Sequence, residues 1–257
     1  MAQRAERRTG QRADDQRSEQ DDHAPPPGRR AEHEGHPGER RLPAACAVVV
    51  AITLYAALPS HLILGPRFVV PALELLLFVP LVAVNPWRMR RENRLLRRLS
   101  IMLVLLIAVT NAVALVLLVE QLVAGSTENG RQLLLAAGQV WLTNIIIFAM
   151  AYWELDRGGP VQRTQARGRD LPLADFRFPQ DEDHDAVREV AARSSVKSGW
   201  TPGFVDYFYL SVTNSSAFSP TDTMPLSARA KLLMAAESVS ALLLSVLVIA
   251  RGVGLLK

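Results

Sequence analysis

The chain has 257 residues, 49% of them hydrophobic, with 29 Lys+Arg against 25 Asp+Glu and a formal net charge of +4. That length suits one large soluble domain or two small ones, but the charge is distributed in a way that excludes both. Several runs of about 20 residues are almost free of charge, the length that crosses roughly 30 Å of hydrocarbon. The charges concentrate between those runs, and an all-α, polytopic helical membrane protein is expected. Basic residues beside apolar segments orient a chain and touch anionic headgroups, so the excess charge is no nucleic-acid footprint. Only Lys197, Lys231 and Lys257 are lysines; this arginine bias, with abundant Ala, Leu and Val, points to a GC-rich bacterial genome.

Residues 1–42 hold nine charges of each sign and almost no large apolar side chain. With Ala24-Pro25-Pro26-Pro27-Gly28 blocking regular structure, a disordered cytoplasmic tail is expected. His33 and His36 lack the further ligands of a metal site. No signal peptide fits, because the first apolar run begins far in and others follow.

Residues 43–153 read as a four-span bundle. The first span covers about 43–64 and contains Cys46, the single cysteine, expected as a small buried hydrophobe. Proline at 66, 71, 80 and 86 makes the second span, 67–84, a bent helix. Six arginines follow, Arg88, Arg90, Arg91, Arg94, Arg97 and Arg98, and fix this loop to the cytoplasm. The third span, 99–124, is the most apolar, and the loop 125–131 carries one arginine and faces outward. The fourth, 132–153, ends in Tyr152-Trp153, aromatics suited to the membrane interface.

Residues 154–200 form an arginine-rich, cytoplasmic connection in which 183–197 has the pattern of a short amphipathic helix, either solvated or lying on the membrane surface. Residues 201–257 form a last membrane module. Its final helix, 227–252, ends near Arg251 and Lys257, a basic end that reads as cytoplasmic. With both termini inside, 203–218 is expected to cross fully despite its length, giving about six membrane segments, the alternative being a re-entrant segment.

The stretch from Phe204 to Ser227 holds Asp206, then Tyr207-Phe208-Tyr209, then Thr213, Ser215 and Ser216, then Asp222 and Pro225. It resembles the pore module of two-helix potassium channels, which has an aromatic pore helix, a hydroxyl-rich approach, a filter, an Asp, a Pro and an inner helix. Arg229, Glu237, Ala250 and Arg251 continue the match, over about a fifth of the chain. The Thr-Val-Gly-Tyr-Gly filter is absent: Ala217-Phe218-Ser219-Pro220-Thr221 stands there, with no glycine from 204 through 251. A filter whose carbonyls all turn inward needs glycine, so one of the potassium type is not expected. Tyr152 to Pro160 and Ala217 to Pro225 also make the chain similar to a family of uncharacterised actinobacterial multi-pass membrane proteins. That resemblance implies location and architecture, not an activity.

Ionisable residues at membrane depth are costly and mark candidate sites. Glu74 reads either as a proton- or cation-binding carboxylate facing a cavity, or as a protonated acid bonded to a neighbouring helix. Glu237 lines a pathway or pairs with Lys231 or Arg229. Asp206 pairs with a base or marks the start of its segment. Asn111 and Asn144, on antiparallel neighbours, suit interhelical hydrogen bonds. Thr213, Asn214, Ser215, Ser216 and Asp222 complete the candidate pathway. Ser219-Pro220-Thr221-Asp222 is equally a helix-start pattern, and Ser227 is placed to cap the final helix.

No metal-ligand spacing, nucleophile elbow or paired carboxylates suggest an enzyme, a cofactor or a metal. The sequence therefore leads to an integral protein of a bacterial plasma membrane with a channel-like module. The expected function is conduction of an ion or small solute, as a homo-tetramer if the ancestral assembly persists. The alternative is a non-conducting scaffold. The two differ in whether Glu74, Asp206 and Glu237 share a wet cavity or are dispersed and capped.

Overall fold

The computed structural model describes residues 38–63, 65–89, 93–124, 130–166, 172–182, 193, 200–216 and 222–254. Seven α-helices dominate: α1 (Leu42–Ala56), α2 (Val69–Val84), α3 (Arg94–Ala124), α4 (Gly130–Leu155), α5 (Pro160–Gln165), α6 (Phe204–Ser216) and α7 (Ala228–Gly254). Two-residue strands add two antiparallel ribbons: β1 (Glu39–Arg40) with β2 (Arg88–Met89), and β3 (Phe176–Arg177) with β4 (Met224–Pro225). The end of the expected tail, 38–42, lies instead in β1 and α1, held by hydrogen bonds to Glu39. Residues 1–37, Arg90, Arg91 and the proposed amphipathic helix, apart from Arg193, lie outside the described residues.

Three helices are long and apolar enough to cross a membrane: α3, α4 with the turn after it, and α7. In α3 the apolar character goes all round. Leu103, Ile107, Ala114, Leu118 and Leu122 are buried, while Leu95, Met102, Val109, Val116 and Val123 recur every seventh residue on the exposed side. A helix with no polar face is the form that suits apolar surroundings on both sides. Helices α1 and α2 have 15 and 16 residues, about 22–24 Å at the α-helical rise. Pro80 is accommodated inside α2. Cys46 is exposed on α1, correcting its expected burial, because it shares an outward face with Leu42, Val49 and Val50.

Helix α4 is the hub, packing against α1, α3, α6 and α7. Its fully buried small residues, Ala136, Ala137 and Ala149, let the neighbours approach closely. Its end folds back through Arg157, Gly158 and Gly159, all at positive φ, before Pro160 starts α5. Gly158 stands at φ 75°, a backbone conformation that favours glycine, and a Cβ there would also lie 2.7 Å from the Pro172 ring.

The course of α6 and α7 departs from the full crossing expected for 203–218. Trp153 at the end of α4 packs on Phe204 at the start of α6, and Ser211 reaches back to Ile145. Arg229, at the start of α7, meets Asp175 and the carbonyl of Leu155. Both helices therefore begin at the arginine-rich end of the bundle and run the same way. With 13 residues, about 20 Å, α6 stops part-way, and the chain returns so that β4 pairs with β3 before α7 begins. Helix α7 runs on until Leu244 packs with Leu58, Leu62 and Leu122 at the opposite end. Arg251 is thus carried away from the arginine-rich end where it was expected. The reason is mechanical: a short helix clamped at its start cannot deliver the chain to the far side.

Ala149, fully buried on the hub helix, leaves no room for a larger side chain. Ala149→Leu is expected to destabilise the fold by about 1–3 kcal/mol, read from chemical denaturation of the purified protein.

Candidate functional site

The C-terminal helices meet α4 around one carboxyl group. Glu237, on α7, is 0% exposed. Its Oε2 accepts hydrogen bonds from Tyr152 OH at 2.6 Å and Asn214 Nδ2 at 2.7 Å. Its Oε1 accepts from Ser215 Oγ at 2.9 Å and from Ser211 Oγ. Ser211 also lies 2.8 Å from the Ile145 carbonyl, so its single proton is shared between the two acceptors. A carboxylate offers about four lone-pair positions, and four donors converge on this one. Asn214 further donates to the Met234 carbonyl and accepts from Ser238, closing a polar seam between α6 and α7. Asn144 donates to Ser240 at 3.0 Å, the interhelical role expected of it, with α7 as the partner helix.

A second polar cluster stitches the arginine-rich end. Asp156, 0% exposed, accepts from the backbone N–H of Asp175 at 2.7 Å and from Tyr207 OH. Asp175 in turn takes a bidentate grip from Arg229. Arg163, 3% exposed, binds Glu39 at 2.9 Å and the Trp153 carbonyl at 2.6 Å, with its guanidinium 5.0 Å above the Tyr207 ring. Glu39 also accepts from Trp153 Nε1 and the N–H of Phe204. Arg157 pairs with Asp156 and Asp181, and Arg97 donates to the Gly158 carbonyl. Phe176 and Phe178 pack their edges on Tyr207 and close the cluster.

The sequence-expected site residues are not gathered in one place. Thr213 and Ser216 spend their hydroxyls on carbonyls of their own helix, at Tyr209 and Val212. Asp206 accepts from the N–H of Gly203 and so marks the start of α6. Ser227 caps α7 through the N–H of Ala230. Asp222 is exposed, and residues 217–221 lie outside the described residues. Arg229 binds Asp175, not Glu237, because its first-turn position faces the 172–182 segment. Of the arginine loop, Arg88 bonds the Gly38 carbonyl, Arg97 bonds Gly158, and Arg94 and Arg98 are exposed.

Glu74 stands apart on α2. It is 1% exposed, and neither carboxyl oxygen has a hydrogen-bond partner among the described residues. A crevice among α1–α4 is lined by Arg41, Phe78, Leu81, Ser100, Met150 and Trp153, among others, and by none of the three carboxylates. At its mouth, burial pulls the Arg41 guanidinium below its ordinary value while the Glu154 carboxylate pulls the other way.

Asp156, Asp175, Arg163, Glu39 and Tyr152 escape a reading by span. Their one signal is a charge pair followed by Gly158-Gly159-Pro160 directly after an apolar helix. No group of described residues has the make-up of a metal site. Comparison with protein-family models, with curated proteins and with solved structures finds no match in any of the three.

Glu237→Ala takes the acceptor from the buried Tyr152 hydroxyl and from the half-buried Asn214 amide and Ser215 hydroxyl, and is expected to cost about 3 kcal/mol or more, with Tyr152→Phe costing about 1–2. Glu74→Leu removes a buried polar group that has no partner, and a gain of about 1–3 kcal/mol is expected. Denaturation midpoints of the three variants in one detergent check both signs.

Proposed function

We propose that this chain is an integral membrane protein with five crossings, α1 to α4 and α7, and one re-entrant segment, α6. In this reading it is a scaffold or interaction protein of a bacterial plasma membrane that does not conduct within one chain. The observation that carries the reading is the enclosure of Glu237 by four donors. A carboxylate whose lone pairs are already taken has nothing left to replace the water around a cation. Asp206 is likewise occupied, and Glu74 lies on a different helix. The carboxylates are dispersed, and the two in the C-terminal module, Glu237 and Asp206, are capped, as in a packing module.

The arginine-rich end is cytoplasmic by the positive-inside rule. The N-terminal segment then lies inside and Arg251 outside. With single cysteines in a Cys46→Ser background, Asp181→Cys and Asp222→Cys should label from the cytoplasmic side of sealed vesicles and Arg251→Cys from the other. Labelling of Arg251→Cys from the cytoplasmic side would remove the five-crossing topology.

A second reading, conduction, has two observations in its favour. A short helix that stops part-way, a return segment and a long helix starting from the same end form the arrangement of a channel pore module. The unpartnered carboxyl of Glu74 is the kind of group a proton or cation pathway uses. Flux of potassium, sodium and protons into liposomes carrying the purified chain separates the readings. The scaffold reading expects no flux above an impermeant-ion control. Flux abolished by Glu74→Gln would establish conduction, and a tetramer by mass in nanodiscs would then place the pathway between subunits.

A further inference from the structure

The β1–β2 ribbon brings two arginines together where no ion pair among the described residues neutralises them. Glu39 pairs with Met89 and Arg40 pairs with Arg88. Successive side chains of a strand point to opposite faces, so the two pairs lie on opposite sides of the ribbon. The inner side holds Met89, which is buried, and Glu39, bound to Trp153, Arg163 and Phe204. The outer side holds Arg40, exposed, directly across from Arg88.

Like charges directly opposite on a ribbon destabilise it. Hydrogen bonds hold this pair in place from both sides: Arg88 donates to the Gly38 carbonyl at 3.2 Å, and the N–H of Arg41 donates to the Trp87 carbonyl at 3.2 Å. None of the ion pairs among described residues involves Arg40 or Arg88. Beside them Trp87 is 82% exposed, an amphipathic ring of the kind that settles at headgroup level. Arg94 and Arg98, exposed at the start of α3, extend the positive field.

We propose that the outer face of this ribbon binds the phosphate of an anionic phospholipid headgroup, with Arg40 and Arg88 donating to it from either side and Trp87 resting in the headgroup layer. The inference goes beyond the scaffold reading and rests only on the chain being in a membrane. Two guanidinium forks at one register position suit a group with several acceptor oxygens. A zwitterionic headgroup also carries a phosphate, but its ammonium adds a positive charge beside the two arginines. The anionic lipid is therefore the one the site selects.

The test uses the full chain purified in detergent and exposed to phosphatidylglycerol, phosphatidylcholine or inorganic phosphate. Lipid retention is read by native mass spectrometry and thermal stability in parallel. Phosphatidylglycerol should be retained and raise the melting temperature, and phosphatidylcholine should do so less. Each of Arg40→Gln and Arg88→Gln should weaken retention about 5-fold, and the double variant should abolish the preference. Arg131→Gln, at the opposite end, should leave it unchanged. If the double variant does not fold, Arg40→Gln alone carries the test, because its side chain is exposed. Equal retention of the two lipids, an unchanged preference without Arg40, or the same shift from inorganic phosphate would overturn the assignment. A chain that stays in solution without detergent would instead remove the membrane reading, a different failure from a missing lipid preference.

Discussion

The clamp of Arg229 on Asp175, and of Asp175 and Tyr207 on Asp156, is the constraint on which the rest of the C-terminal half depends. It fixes the start of α7 beside the end of α4. Glu39 and Arg163 fix the start of α6 in the same place. Once both starts are pinned at one end, a helix of 13 residues between them has to turn back. The buried charges in this cluster are paired or bonded to backbone, the condition under which burying them is tolerable. Their value lies in specifying which helix ends meet, a task the apolar stripes cannot perform because they slide past one another at little cost.

The two buried glutamates show how differently one residue type is used. Glu237, on α7, sits where α4 and α6 supply hydroxyls and an amide, and it joins the three helices into one unit. Glu74 is buried on α2, and among the described residues neither of its oxygens has a hydrogen-bond partner. A group of the first kind earns its place through packing. One of the second kind is a cost to the fold, and a cost of that sort points to a use outside stability.

Charge patterning served the sequence reading well in one half of the chain and misled it in the other. Arg88, Arg94, Arg97 and Arg98 do sit together at one end of the bundle, with the ends of α2 and α4 and the starts of α1 and α3. Applied to Arg251, the same rule expected the end of the last helix beside those arginines, whereas α7 starts there and runs away from them. Because α6 and α7 start at the same end of the bundle, the difference lies in 203–218, expected as a crossing. Its length of about 20 Å argued against that, and only the meeting of Arg229 with Asp175 showed where the chain went next.

The sequence by itself determined that the chain is helical, roughly where six helices lie, with the first ending at Ala56 and not near 64, and which end of the four-helix bundle collects the arginines. These follow from local quantities: runs of hydropathy, proline, and charge next to apolar segments. It also singled out Glu237, Asn214 and Ser215, since polar groups in apolar helices stand out wherever they point. Only the tertiary structure decided that Asn214 and Ser215 both bind Glu237, that Glu74 has no partner among the described residues, and that the chain turns back after α6. It alone placed Arg40 across from Arg88. Those outcomes depend on groups separated by 20 to 165 positions in the chain, and no local pattern encodes which distant donor will find which acceptor.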